Sequence, residues 1–290
     1  MPMQNPTEPI KNDSLVLADG SSWAIAAGNS YGANLAKILS DTMQLKSGTK
    51  PEKHLLAIHY GHPAEKKQHH HNALKLKTSK DNKVSTTTCH LFPTKGNNEI
   101  ALHLIHLSLI ISSQIETQGG LLIHGALAVK DGQGVILAGP GGIGKTTASH
   151  RLPQPWQSLS DDCTLVVQDD KGFYHAHPWP SWSTFMFGGE GGSWDVQHSV
   201  PLKAIFMLSQ SEQDFIGPLG QGEAVCLLTE YSEQASWTLT ENFDDNQRQA
   251  MNLQRFDNIC EIIKTVPTYL LHISKTGTFW NEIERQLLTN

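Results

Sequence analysis

The fold is decided by residues 119–147, whose sequence is GGLLIHGALAVKDGQGVILAGPGGIGKTT. Two runs dense in Leu, Ile, Val and Ala, LLIHGALAV and GVILAG, are separated by Asp131-Gly132-Gln133-Gly134. Turn residues between two apolar runs of this kind predict two β-strands joined by a tight turn. The second strand leads into a glycine-rich segment and then into residues that can begin a helix. The stretch therefore predicts a strand–strand–loop–helix unit, and we place a domain boundary near residue 119.

The glycine-rich segment GPGGIGKT matches the phosphate-binding pattern G-x-x-x-x-G-K-[ST] at every fixed position. Its glycines let the backbone turn tightly, so that successive N–H groups converge on phosphate oxygens. We expect Lys145 to neutralise the β- and γ-phosphates and the Thr146 hydroxyl to ligate Mg²⁺. The predicted cofactors are ATP and Mg²⁺, and the predicted nucleotide-binding residues are Gly139, Pro140, Gly141, Gly142, Ile143, Gly144, Lys145, Thr146 and Thr147.

A pair of carboxylates, Asp161 and Asp162, opens the next apolar strand in the sequence LSDDCTLVV. Taken alone, an Asp pair can simply mark the turn before a strand. Beside a phosphate-binding loop it suits a kinase, because one carboxylate can reach Mg²⁺ while the other accepts the proton of an incoming hydroxyl.

Three segments in this order carry a family resemblance: His124-Gly125-Ala126-Leu127 on a strand, the glycine-rich loop, and Ser160-Asp161-Asp162. The layout resembles the catalytic domain of HPr kinase/phosphorylase, whose fold is like that of phosphoenolpyruvate carboxykinase. The later stretches PLKAIFMLSQ and VPTYLLHIS also look like HPr-kinase-related proteins of peptide-modification cassettes. The resemblance covers about residues 119–288 and none of the chain before them.

The resemblance implies a role for each matching residue. Lys145 would be the catalytic phosphate-binding lysine, Asp162 the catalytic proton acceptor and Thr146 a metal ligand. With Asp162 in that role, Asp161 is the carboxylate of the pair that we expect to reach Mg²⁺. His124 would be a catalytic histidine near the phosphoryl group, although a single His on an apolar strand is by itself more often a core residue.

One part of the family pattern is missing. After the aspartate pair, the bifunctional members carry a Glu-Ile-Arg-Gly-type segment with a second metal-binding Glu, whereas this chain has GFYHAHPWPSWSTFMFGGEGGSW. Glu190 lies at a comparable place in that stretch and is the remaining candidate metal ligand. The missing segment disfavours phosphorylase activity and disfavours HPr as the substrate.

Two histidine-rich segments have weaker interpretations. His175 and His177, followed by Trp179 and Trp182, could belong to a zinc site, to an aromatic wall facing a peptide or nucleotide, or to ordinary packing. Three adjacent histidines at residues 69–71 lie in a polar, lysine-rich segment, residues 62–83, that lacks hydrophobic periodicity. We predict a solvated surface loop there and assign it no role.

The chain is predicted to have α/β architecture with two domains. Residues 1–118 should form a smaller N-terminal α+β domain of unknown role, with helices near Tyr31–Leu45 and Ile100–Thr117 and strands HLLAIHY and VSTTTCHLF. Residues 119–290 should form a C-terminal P-loop domain of the HPr kinase/phosphoenolpyruvate carboxykinase-like type, with strands such as CTLVV, KAIFML and TYLLHI alternating with helices.

Composition limits the partners. At 290 residues and 38% hydrophobic content the chain can fold one large or two modest domains, and a net charge of −6 without a concentrated basic face disfavours nucleic acid. No run reaches the roughly 18 apolar residues of a membrane span, and the first residues lack a signal pattern. Four cysteines without a C-x-x-C pair indicate reduced thiols. We expect a cytoplasmic protein without a membrane partner.

The function predicted from these features is ATP-dependent transfer of a phosphoryl group to a Ser or Thr hydroxyl of a small protein or ribosomal peptide. Two alternatives stay open: a non-catalytic ATP-binding protein that regulates or presents a peptide, and a P-loop ATPase. The base-reading N-K-x-D motif of GTPases is absent from the sequence. The sequence does not identify the nucleotide base. It does not fix the quaternary state either, and a homo-oligomer stays open.

Overall fold

The chain has mixed α/β architecture. The computed structural model describes residues 13–47, 53–61, 74–81, 84–93, 98–181 and 192–288. It divides into two compact units, of which the first comprises Met1–Ile111, Pro180–Gln197 and Thr238–Phe243. The second comprises Ser112–Trp179, His198–Trp237 and Asp244–Asn290. These are units of packing; the functional division at residue 119 stays a prediction.

A six-stranded sheet forms the centre of the first unit. Its strands are β1 (Asp13–Val16), β2 (Ser22–Ala27), β3 (Lys46–Ser47), β4 (His54–Tyr60), β5 (Leu74–Asp81) and β6 (Val84–Leu91). They lie in the order β3-β1-β2-β4-β6-β5, with β2, β4 and β6 parallel. Helix α1 (Ser30–Thr42) follows β2 and is capped by Asn29, whose side chain accepts a hydrogen bond from the Gly32 amide. Helix α2 (Glu99–Glu116) follows β6.

Strand β5 corrects the sequence prediction of a loop over residues 62–83. It pairs antiparallel with β6 along its whole length, from Leu74 opposite Leu91 to Asp81 opposite Val84. As an edge strand it takes its regular backbone from the ladder with β6, and its lysines remain exposed, as is common on sheet edges. Residues 62–73, with the three adjacent histidines, lie outside the described residues.

An eight-stranded sheet forms the centre of the second unit. Its strands are β7 (Leu121–Lys130), β8 (Gln133–Ala138), β9 (Gln157–Ser160), β10 (Cys163–Gln168), β11 (Tyr174–Trp179), β12 (Val200–Gln210), β13 (Phe215–Gly217) and β14 (Thr268–Ile273). The main order is β11-β10-β7-β8-β12-β14-β13, and β9 pairs with β7. Strands β8, β12 and β14 are parallel to one another, so their carboxyl ends lie at one edge. The helices are α3 (Lys145–Arg151), α4 (Gln221–Thr240), α5 (Asp245–Thr265) and α6 (Trp280–Leu288).

Alternating side chains of the central strands build two separate cores. On β8, Ile136 and Ala138 belong to one core, which also contains residues of α4 and α5. Val135 and Leu137, in between, belong to the other, which contains residues of α3 and α6. Because both faces of these strands are buried, they are continuously apolar in sequence, which explains the run VILA before the loop.

The predicted α/β class is confirmed, while the P-loop kinase-like type of the second unit stays a prediction. Strands HLLAIHY and TYLLHI occur at His54–Tyr60 and Thr268–Ile273, as the sequence predicts. The short strands β3, β9 and β13 were not predicted. All four cysteines are free thiols. Among the described residues, no helix combines the length and apolar character needed to cross a membrane.

Candidate functional site

The register of two ladders brings the predicted site residues together in the second unit. Strand β7 pairs with β10 so that His124 lies opposite Cys163, next to the aspartate pair. The same strand pairs with β8 so that Gly125 lies opposite Ala138, and the Gly139 amide donates to the His124 carbonyl oxygen at 3.3 Å. His124 therefore lies between the glycine-rich loop and the two carboxylates. A Cβ at Gly125 would stand 2.6 Å from Ile136 Cγ2, so a glycine is required after this histidine.

The loop between β8 and α3 has a backbone that depends on glycine. Gly142 and Gly144 have φ values of 79° and 107°, a left-handed region that L side chains rarely adopt. A Cβ at Gly139 would approach Ile143 Cγ2 to 2.8 Å, whereas the space beside Gly141 is open. The loop thus presents bare backbone to its surroundings, which is the property that a phosphate cradle needs.

Lys145 lies at the base of the loop and is only 5% exposed. Its Nζ donates to the carbonyl oxygens of Gly139 and Pro140, at 3.0 and 3.1 Å. Burial lowers the pKa of the ammonium group, and the nearby Asp162 carboxylate partly offsets this. Within the described residues, no carboxylate lies close enough to form an ion pair with it. A buried cation whose direct contacts are backbone carbonyls fits a phosphate ligand, because the anion would add in direct contact the negative charge that Asp161 and Asp162 supply only from a distance.

His124 and Asp162 form the closest pair in the site. His124 Nε2 lies 2.8 Å from Asp162 Oδ1, and both side chains are partly exposed, by 15% and 24%. On the other side of the ring, Nδ1 lies 3.2 Å from Gln234 Oε1. Gln234 in turn donates from Nε2 to Glu230 Oε1 at 2.9 Å. The imidazole is thereby oriented through both of its nitrogens.

The groups that could hold a divalent cation are few. The Thr146 hydroxyl donates to the Asp161 carbonyl oxygen at 3.5 Å, so these two residues are neighbours. No cluster of three or more His, Cys, Asp or Glu side chains suited to a metal occurs in the described parts of the chain. One hydroxyl and one carboxylate fit Mg²⁺, which commonly takes its other ligands from phosphates and water. Glu190 lies outside the described residues.

Two openings flank the loop. The first has a volume of about 560 Å³ and is lined by His124, Pro140, Gly141, Glu233, Gln234 and Trp237. The second, about 660 Å³, lies on the other side of the loop and is lined by residues of the loop, of α3 and of the segments after β12 and β14. Thr147, predicted to bind nucleotide, lines the second opening and not the first.

Helix α4 supplies site residues that the sequence does not predict. Gln234 contacts the ring of His124, the candidate catalytic histidine. Trp237, one helical turn further on, lines the first opening and is 56% exposed. The spacing of a glutamine and a tryptophan on a helix carries no recognisable signal, because their position depends on how α4 packs against a strand far away in sequence.

The histidines of β11 show ordinary packing. His177 and Trp179 are fully buried, and His175 Nε2 lies 3.0 Å from Asp169 Oδ2. Of the three interpretations, packing agrees best with this burial. Trp182, the other aromatic residue of that hypothesis, lies outside the described residues.

Comparison with known proteins gives one family. The model of the family described as SynChlorMet cassette protein ScmC matches residues 87–289, more than half of the chain. The matched range includes the loop, the aspartate pair, His124 and helix α4. No curated protein matches the chain. The match supports a close relationship to ScmC, while the resemblance to HPr kinase stays a prediction.

Proposed function

The chain belongs to the ScmC family of SynChlorMet cassette proteins, and from this premise we propose that it is an ATP-dependent kinase. It transfers the γ-phosphoryl group to a Ser or Thr hydroxyl of a small protein or ribosomal peptide. The observation that carries the proposal is the 2.8 Å contact between His124 and Asp162 at the mouth of a glycine loop that contains the buried Lys145. A proton acceptor beside a phosphate cradle is the combination that phosphoryl transfer to a hydroxyl needs.

The proposal includes the fold of the second unit. We assign it to the P-loop type of HPr kinase and phosphoenolpyruvate carboxykinase. The supporting features are the order of the His-Gly strand, the glycine loop and the aspartate pair, and the three parallel strands whose carboxyl ends meet near the loop.

In the proposed reaction, the oxygen of the acceptor hydroxyl forms a bond to the γ-phosphorus, and Asp162 accepts the proton of that hydroxyl. The bond from that phosphorus to the bridging oxygen breaks, and ADP leaves with the electron pair. Lys145 stabilises the charge on the β- and γ-phosphates, and its burial strengthens this interaction because the surroundings screen it less than water does. His124 orients the Asp162 carboxylate through their shared hydrogen bond.

Thr146 and Asp161 would hold Mg²⁺. The cation would supply charge neutralisation at the bridging and terminal phosphate oxygens. The protein contributes the Thr146 hydroxyl, which donates to the Asp161 backbone carbonyl oxygen, and the carboxylate of the same Asp161.

The first opening is suited to bind the peptide that accepts the phosphoryl group. Its lining combines the exposed face of Trp237 with Glu233, so an extended peptide could pack against the indole while its hydroxyl approaches Asp162. This arrangement favours a peptide acceptor over a small metabolite, because the opening is broad and largely open to solvent.

The test is incubation of the full-length protein with ATP labelled at the γ-phosphate, Mg²⁺ and a library of peptides containing Ser or Thr. A kinase transfers label to peptides. A P-loop ATPase releases labelled inorganic phosphate without peptide, and a regulatory or peptide-presenting protein binds ATP without either product. ATP binding with no labelled peptide, or phosphate release that peptides do not alter, would overturn the proposal.

A further inference from the structure

The second opening beside the loop is the feature that the proposed reaction leaves without a role. It lies at the carboxyl ends of the parallel strands β12 and β14, close to the end of β8 where the loop begins. Ligands of open α/β sheets bind at this edge, because the connections that follow the strands spread apart there. Its volume of about 660 Å³ lies in the range of small-molecule sites.

The loop has two different sides, which gives a bound polyphosphate chain a direction. Pro140 and Gly141 face the opening that contains His124, while Gly142, Ile143 and Gly144 face the other. Because Asp162 contacts His124, the reacting phosphoryl group must end at the first opening. The rest of the nucleotide must then leave the loop on the side of Gly142–Gly144.

The lining of the second opening suits a nucleoside. Ala148 and Ile273 are buried apolar side chains at its base, and Ile143 is partly buried beside them. Polar groups surround this base, among them Ser211 and Lys275. An apolar surface with polar groups at its margin matches a flat heterocycle joined to a sugar, which has apolar faces and hydrogen-bonding edges.

One wall of the opening is held in place by Arg151 of α3. Its guanidinium group donates to the carbonyl oxygens of Ser274 and Gly277, at 2.7 and 2.6 Å, and lies over the Phe279 ring. The Ser274 hydroxyl accepts from the Gly277 amide at 2.9 Å, which closes the segment into a compact turn. The wall is thus tied directly to the helix that follows the phosphate-binding loop.

We propose that this second opening, defined by Ile143, Ala148, Ser211, Ile273 and Lys275, binds the nucleoside of the triphosphate. The inference rests on the proposed function, because it assumes that the glycine loop binds the phosphates. It adds the site for the base and sugar and assigns Arg151 to holding one wall of that site.

The test compares ATP with inorganic tripolyphosphate, both with Mg²⁺, by calorimetry on the full-length protein. Tripolyphosphate can use the loop but has no nucleoside. Ser211→Trp and Lys275→Trp place a large ring into the opening from its two walls, at positions that are not buried. We expect each to weaken ATP binding by about tenfold or more and to leave tripolyphosphate binding within about twofold. Gln249→Trp, on the exposed surface of α5, is the matched control and should change neither affinity.

The possible results distinguish a failure of the nucleoside site from a failure of phosphate binding by the loop. A wild-type protein that binds neither ligand, or a Lys145→Ala variant that binds both normally, would overturn phosphate binding by the loop. A wild-type protein that binds ATP no more tightly than tripolyphosphate would overturn only the nucleoside site. So would tryptophan variants, folded by circular dichroism, that bind ATP as the wild type does.

Discussion

The Asp162 carboxylate is the group in the site on which the chemical step depends most directly. Asp162→Asn keeps the side-chain shape and an oxygen that can face His124, but it removes the proton acceptor. We expect ATP affinity to stay within a few-fold, while the rate of phosphoryl transfer falls by about 10²–10⁴. Calorimetry and single-turnover transfer from labelled ATP measure the two quantities separately.

Asp161→Asn is the matched control for that substitution. Its neighbour Thr146 is the other candidate Mg²⁺ ligand, so this variant should need more Mg²⁺ for the same rate. If Asp162→Asn shifted the Mg²⁺ requirement and Asp161→Asn removed only the chemical step, the two carboxylates would have to exchange roles.

We expect buried His106, in the first unit, to make the folded state sensitive to acid. Burial lowers its pKa to about 4, and the neighbouring His103 acts in the same direction. Its Nε2 lies 3.3 Å from the Thr238 carbonyl oxygen, while Nδ1 has no hydrogen-bond partner among the described residues. If the imidazole took up a second proton, one of its two N–H groups would therefore have no acceptor in the folded state.

The pH dependence follows from that difference in pKa. Between pH 6.5, the ordinary value, and about 4, the unfolded chain binds a proton that the folded chain does not, so stability falls as the pH falls through this window. One such histidine contributes up to about 3 kcal/mol of acid destabilisation. His106→Gln, which can still donate to Thr238, should flatten the urea-unfolding free energy over this window. A pH profile that the substitution leaves unchanged would show that His106 binds its proton as readily in the folded state as in the unfolded one.

At the scale of elements, sequence patterns predict segments that are regular by themselves and miss those that depend on a partner. The loop of residues 139–146 and the aspartate pair are contiguous motifs, so they could be found without a structure. That His124 contacts Asp162 depends on the register between β7 and β10, and only a family resemblance points to it. Strand β5 and the contribution of Gln234 depend on pairing and packing with distant residues, which no local pattern encodes.

Helices α2, α4 and α5 meet at a buried ion pair in the second unit. Arg255 of α5 lies 3.0 Å from Glu116 at the end of α2 and also donates to Ser236 of α4 at 2.6 Å. The two charged side chains are 1% and 3% exposed. Burial raises the pKa of Glu116, while Arg255 opposes the shift. The pair fixes where three helices join, because neither charge has water as an alternative partner.

Removing one partner of this pair should be costly. Glu116→Gln would leave Arg255 buried without a countercharge, and we expect the free energy of unfolding to fall by about 3–5 kcal/mol. Glu261→Gln is the matched control, because its partner Lys264 is largely exposed and such pairs contribute at most about 1 kcal/mol. Urea unfolding measures both variants. Equal losses for the two would mean that the buried pair contributes no more than a surface one.

At the scale of the whole molecule, the second packing unit begins earlier in the chain than the segment with the recognisable motifs. Its first residues, Ser112 onward, include Glu116, which lies before the boundary predicted at residue 119. Asn258 of α5 donates to the carbonyl oxygens of Glu116 and Gly120, at 2.8 and 2.7 Å, so the segment is attached to α5 on both sides of that boundary. Strand β8, which leads into the phosphate-binding loop, pairs with β7, the strand that follows this segment.

Two fragments of the chain test this arrangement. Residues 112–290 keep Glu116 and both acceptors of Asn258, whereas residues 119–290 keep all the motifs but leave Arg255 without its carboxylate. We expect the longer fragment to be more stable by about 3–5 kcal/mol in urea unfolding, since a buried arginine alone is strongly unfavourable. If the longer fragment folds, its tripolyphosphate affinity should match that of the full chain, because the predicted phosphate-binding residues begin at Gly139. Equal stability of the two fragments would show that the end of α2 is dispensable, and that the second unit is complete from residue 119.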